Sequence, residues 1–139
     1  MKVQASGILI LIACILTGCD KSMKDVAGVY KSAEIITHHY STTWVLDLAE
    51  SGTFTLKEKR FRVYKDGIAP QNGRKISSEW QIFPDYVCCT WTEYGEVFSV
   101  ILSPQTRGDM ISGDVFSPLK RSIISSFDGI SNLRFKRVE

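Results

Sequence analysis

The feature that most constrains the fold of this chain is an apolar alternation of period two on either side of a tight reversal. Trp44, Leu46 and Leu48 fall on every second position, Glu50-Ser51-Gly52-Thr53 turns the chain, and Phe54 and Leu56 resume the alternation. Side chains along a strand point to opposite faces in turn, so this pattern requires two antiparallel strands that each bury one face. The phase then shifts to odd positions at Phe61 and Val63, as a β-bulge between Leu56 and Phe61 would produce. Asp66-Gly67, Pro70 and Asn72-Gly73 crowd residues 65–74, which therefore read as a loop. Further strands are predicted near 76–83, 86–91, 96–102, 110–116, 121–127 and 131–138, punctuated by Pro84, Gly95, Pro104, Gly108, Pro118 and Gly129. Together with 26–32, 35–48 and 53–65 this makes eight to ten short strands and no long, well-capped helix. The expected fold is all-β, an antiparallel meander closing into a small barrel, because closure removes exposed strand edges.

The first residues obey different rules. Ile8 to Leu16 is an unbroken apolar run behind a positive start at Lys2. It is shorter than the roughly 20 residues a membrane-spanning helix needs, and it ends in small residues, as a secretory signal peptide does. Leu16-Thr17-Gly18-Cys19 resembles the lipobox of bacterial lipoproteins. That resemblance implies cleavage between Gly18 and Cys19, acylation at Cys19, and a membrane anchor of two or three fatty chains, which together hold where one would not. An aspartate directly after the cysteine, here Asp20, resembles the signal that keeps enterobacterial lipoproteins in the inner membrane. The expected location is the bacterial cell envelope, on the periplasmic side of the inner membrane where that rule applies. Residues 1–18 are then the leader, 19–25 the lipidated cysteine and a polar tether, and 26–139 a single barrel domain.

Charge and cysteine use narrow the function classes. Seventeen basic and fifteen acidic residues nearly balance, which gives no electrostatic basis for nucleic acid as a partner. A chain that is 44% hydrophobic and 11% aromatic has enough apolar mass for one core. Of four cysteines, Cys14 belongs to the leader and Cys19 to the lipid, which leaves Cys88 and Cys89 side by side. No long-loop disulfide is available, so the fold must stand on packing.

Gly28-Val29-Tyr30, the hairpin from Leu46 to Leu56, Trp80 and the closing Leu133-Arg134-Phe135-Lys136-Arg137 are similar to small lipocalin-like bacterial lipoproteins. The resemblance implies that Tyr30 takes the place of the lipocalin first-strand tryptophan. Arg134 or Arg137 would supply the basic residue packed over it.

Candidate sites follow from these elements. Neighbours on a strand diverge, so one of Cys88 and Cys89 should enter the core and the other face outward, where a thiol or metal role is conceivable. His38-His39 diverge in the same way, and no metal-ligand spacing occurs, so neither a metal nor a cofactor is expected. Lys57, Lys59, Arg60, Arg62 and Lys65 form a basic run that could meet lipid phosphates or, more simply, defend an edge strand. Tyr30, Trp44, Phe54, Trp80 and Trp91 could line a cavity or fill a dry core. Glu93 and Glu96 flank Gly95 and read as hairpin charges. With no nucleophile elbow, phosphate loop or zinc-protease helix, no catalytic residue is expected. The expected function is a non-catalytic binding module for a small apolar or amphipathic ligand, moored in the membrane by its lipid. The alternative is a protein-interaction lipoprotein: an envelope-assembly or stress partner, an inhibitor, or an immunity protein.

Overall fold

A computed structural model of the chain describes residues 22–117 and 125–138. Gly18, Cys19 and Asp20, and with them the expected cleavage, lipidation and sorting signals, lie outside the described residues. Among the described residues a single helical turn, α1 (Met23–Val26), precedes ten strands. They are β1 (Gly28–Ser32), β2 (Ile35–Ile36), β3 (Tyr40–Leu48), β4 (Thr53–Tyr64), β5 (Gly67–Gln71), β6 (Lys75–Ile82), β7 (Val87–Glu93), β8 (Glu96–Pro104), β9 (Met110–Ser112) and β10 (Arg134–Arg137). Every pairing is antiparallel. Strands β1, β3, β4, β6, β7, β8, β9 and β10 pair in chain order, and β10 returns to β1 with Tyr30 opposite Arg137 and Ser32 opposite Phe135. The result is a closed eight-stranded meander barrel of small lipocalin-like form, with β2 and β5 as extra strands.

The alternation read from the sequence sets the interior. Trp44, Leu46, Leu48, Phe54 and Leu56 are all buried, joined by Tyr30, Trp80, Cys89, Trp91, Phe98, Val100, Leu102, Met110 and Phe135 from the facing walls. Tyr30 lies beneath Arg137, whose guanidinium carbon is 5.8 Å from the ring centroid. The same guanidinium donates to the carbonyls of Asp25 and Ala27 and so ties α1 to the last strand. Arg134 instead faces Asp109 at 3.5 Å.

Three expectations need correction. β4 contains no bulge, and its register with β3 is unbroken from Leu48 opposite Phe54 to Tyr40 opposite Arg62. The irregularity lies on the other side of β4, where Lys57 faces Lys75 but Arg60 faces Gln71. Two residues of β4 therefore meet three of the chain between β5 and β6. Phe61 and Val63 are odd because the apolar face changes sides once β4 leaves the barrel. Second, the supposed loop at 65–74 holds β5; Pro70 is tolerated because, among the described residues, β5 pairs with β4 alone and its other side needs no donor. Third, residues 125–127 form no strand. They lead into a 3-10 turn at Asp128–Ile130 that buries Phe127 and Ile130 in the barrel end.

A filled interior makes large-to-small substitutions costly. Phe54→Ala should lower unfolding free energy by about 3–5 kcal/mol, and Ile68→Ala, at a site 67% exposed, by no more than about 0.5 kcal/mol. Urea titration of both variants provides the check.

Candidate functional site

The barrel has two unlike ends. At one, α1 packs beside the β3–β4 turn, with the Met23 side chain 3.7 Å from where a Cβ on Gly52 would lie. At the other, β3 and β4 run on past the barrel wall. There β2 joins β3 (Ile35 opposite Thr42) and β5 joins β4 (Arg62 opposite Ala69), which makes a four-stranded arm. Twelve residues of β4 rise about 3.3 Å each, so the arm's tip stands about 40 Å from the α1 end.

Sequence alternation gives the arm two faces. Even positions of β3 and β4 continue the interior parity, so Tyr40, Thr42, Arg60 and Arg62 look over the barrel mouth. Odd positions form the outer face, where Ile36, Val63 and Ile68 are 72%, 43% and 67% exposed. The basic run is thereby divided. Lys57 and Lys59 face outward, while Arg60 and Arg62 turn inward, with their guanidinium carbons 3.9 and 5.9 Å from the Tyr40 ring centroid. β4 is paired on both sides, so the run defends no edge of β4.

Glu58 anchors the base of the arm. It falls on an interior position and is buried, and Arg74 reaches it from the bulged segment. Arg74 Nη2 donates to Oε2 at 2.8 Å, while its Nε and backbone N–H donate to Oε1 at 3.1 and 3.2 Å. Burial works to raise the Glu58 pKa. The Arg74 hydrogen bonds, and attraction to Arg74 and Arg60, outweigh it and hold the carboxyl below the ordinary glutamate value. Gly73 makes the approach possible, because a Cβ there would lie 1.7 Å from the Glu58 carbonyl oxygen. Beside the bulge, a groove of about 480 Å³ is bordered by Lys57, Lys59, Phe61, Pro70, Asn72 and Lys75.

The mouth is closed from the other side by the segment at 125–130. Glu93 accepts from Trp91 Nε1 at 2.9 Å and from the hydroxyls of Ser125 and Ser126, and Phe127 packs at 5.9 and 6.0 Å from the rings of Trp44 and Trp91. Burial raises the Glu93 pKa, but the Ser125, Ser126 and Trp91 donors lower it further, for a net downward shift. Glu96 is fully buried and accepts from Ser117 at 2.7 Å. Neither is a simple hairpin charge. Sequence reading missed them because their serine partners lie more than 20 residues away; the local hints were two carboxylates bracketing Gly95 and Trp91 two residues before Glu93.

Tyr30, Trp44, Phe54, Trp80 and Trp91 are each 1% exposed. The void among Leu46, Phe54, Cys89, Trp91 and Phe135 is about 10 Å³, no more than one water needs. Trp80 also spends its N–H on the Ala49 carbonyl at 2.9 Å. Within the barrel these rings fill the space between the walls rather than bound a ligand cavity. Cys89 is buried among them, and burial pushes its thiol far above the usual range, which leaves it in the unreactive protonated form. Cys88 faces the other way, with Sγ 3.8 Å from Thr90 Oγ1, and both thiols are free. His38 and His39 meet edge-on at the exposed β2–β3 turn. Among the described residues no three His, Cys, Asp or Glu side chains gather as a metal site. No protein-family model, no curated protein and no solved structure matches this chain.

Two outcomes follow. Gly73→Ala should force the bulge off β4 and break the Glu58–Arg74 contact, at a cost of about 1–3 kcal/mol, with faster hydrogen exchange at the Glu58 amide. Glu58 and Glu93 both have lowered folded pKa values, so their contribution is complete above the unfolded value of about 4.3 and is lost as pH falls through the folded values. Urea midpoints should therefore drop as pH falls below about 4.3, and Glu93→Gln should flatten that drop.

Proposed function

We propose that this protein is a lipid-anchored, non-catalytic component of the bacterial envelope that docks an acidic envelope protein on its distal arm. The observation that carries the reading is the contrast between a filled barrel and an arm whose outer face leaves Ile36, Val63 and Ile68 exposed at the end remote from α1. Apolar side chains gathered on one extended face are the usual mark of an interaction surface. Charge supplies the preference. Lys57 and Lys75 sit directly opposite each other on neighbouring strands, with Lys59 on the same face, an arrangement that repels itself unless an anionic surface lies against it.

The anchor comes from the sequence. Cys19 precedes Ser22 by three residues, so fatty chains at that sulfur would moor the α1 end and direct the arm away from the bilayer. Such an orientation disfavours lipid phosphates as the basic run's target, because headgroup attraction fades within a Debye length of about 8–10 Å. Internal carriage of an apolar ligand is disfavoured by the packing of the described core residues, whose void is only about 10 Å³.

Photo-crosslinking in intact envelopes tests the docking. A benzophenone side chain in place of Ile68 should give one discrete protein adduct, and the same group in place of Lys136 on the barrel wall should give none. Adducts to lipid alone, or none at Ile68, would exclude docking by the arm. Mass spectrometry of the mature N-terminus separately tests acylation of Cys19.

A further inference from the structure

The inner face of the arm carries a second, smaller feature that the docking reading does not use. Between β2, β3, β4 and the Gly129 turn lies a cleft of about 220 Å³, floored by Trp44 and walled by Ile35, Tyr40, Thr42, Arg60 and Arg74. Two guanidinium groups and one carboxylate meet there, an excess of one positive charge. Arg74 takes both oxygens of Glu58, through Nε and Nη2. Arg60 has its guanidinium carbon 3.9 Å from the Tyr40 ring centroid and a buried Nε–H that no group among the described residues accepts. Buried polar hydrogens nearly always have a partner, and a guanidinium held over an aromatic ring has less freedom to turn its donors away.

We propose that this cleft is a binding site for a single anionic group, carboxylate or phosphate, borne on a small flat apolar body. The anion accepts from Arg60 Nε–H and balances the one positive charge that the Glu58–Arg74 pair leaves over. The apolar body lies against Ile35 and the edge of Trp44 that lines the cleft. An apolar cavity of about 150 Å³ holds a benzene ring, so the volume suits one ring and its acid group. Charge-assisted bonds to a planar guanidinium are among the stronger recognition contacts available to a side chain. The proposal is independent of what docks on the arm's outer face.

Benzoate, phenyl phosphate and neutral benzamide serve as probes, followed by calorimetry and by arginine side-chain NMR of the purified protein. The expected result is saturable one-site binding of at least one anion, with a downfield shift of the Arg60 Nε–H and no binding of benzamide. Tighter binding of benzoate assigns a carboxylate to the site, and tighter binding of phenyl phosphate assigns a phosphate. Arg60→Gln should weaken binding by at least about tenfold, and Lys59→Gln, one residue away but on the opposite face, should leave it unchanged. Arg60→Lys keeps the charge without the stacked fork; it should also weaken binding, and it covers the case in which Arg60→Gln fails to fold. Absence of saturable binding, equal binding of benzamide, or equal loss in Lys59→Gln would overturn the proposal.

Discussion

Pairing of the first barrel strand with the last is the contact on which everything else depends. β1 and β10 are separated by more than a hundred residues, yet Tyr30 faces Arg137 and Ser32 faces Phe135 in register. Without that pairing the meander has two long open edges, and its interior aromatics are solvated along one side. Closing so long a loop costs entropy before any local contact repays it. The seam is reinforced accordingly: Arg137 lies over Tyr30 and donates to two carbonyls of the segment entering β1, and the Tyr30 hydroxyl donates to the Val26 carbonyl. A chain of this topology is expected to fold slowly, because its defining contact is its most non-local one.

Once the sheet is closed, the choice of side chains decides what the barrel can do. Eight strands give a bore that side chains can just fill, and three tryptophans with Phe54, Phe98 and Phe135 fill this one. A carrier would need small residues facing inward somewhere along the bore. Here the large ones are spread along its length, from Trp80 near the β3–β4 turn to Trp44 and Trp91 near the mouth. Chemistry is consequently displaced to the rim and to the strands that overrun it.

The parts of this arrangement that could be read from sequence are those set by neighbours in the chain. Trp44, Leu46, Leu48, Phe54 and Leu56 announced a buried face because period two is a local property, and the expectation of one buried and one outward cysteine followed from the same rule. Glu58, Glu93 and Glu96 look like any surface carboxylate, since Arg74, Ser125 and Ser117 reach them only after the sheet has closed. β5 was hidden because glycine and proline signal a turn locally, whereas an edge strand tolerates both. The shift in parity at Phe61 was real, but its cause was misplaced: β4 continues straight while its outward side gains apolar residues and its neighbour bulges.

That shift also explains why a basic run and an apolar patch can share twelve residues without conflict. Inside the barrel wall, even positions of β4 are apolar and odd ones polar, as Leu56 and Lys57 illustrate. Beyond the wall the assignment reverses, with Arg60 and Arg62 even and Phe61 and Val63 odd. The reversal falls at Glu58, the last interior position and the only carboxylate on this face of β4. Arg74 neutralises it there, and Gly73 lets the crossing chain come close enough to do so. A charged residue buried at that boundary therefore marks where the strand stops serving the core and starts presenting a surface. The arm's two faces, one with arginines over the mouth and one apolar toward solvent with lysines at its base, are the consequence of where that single pair sits.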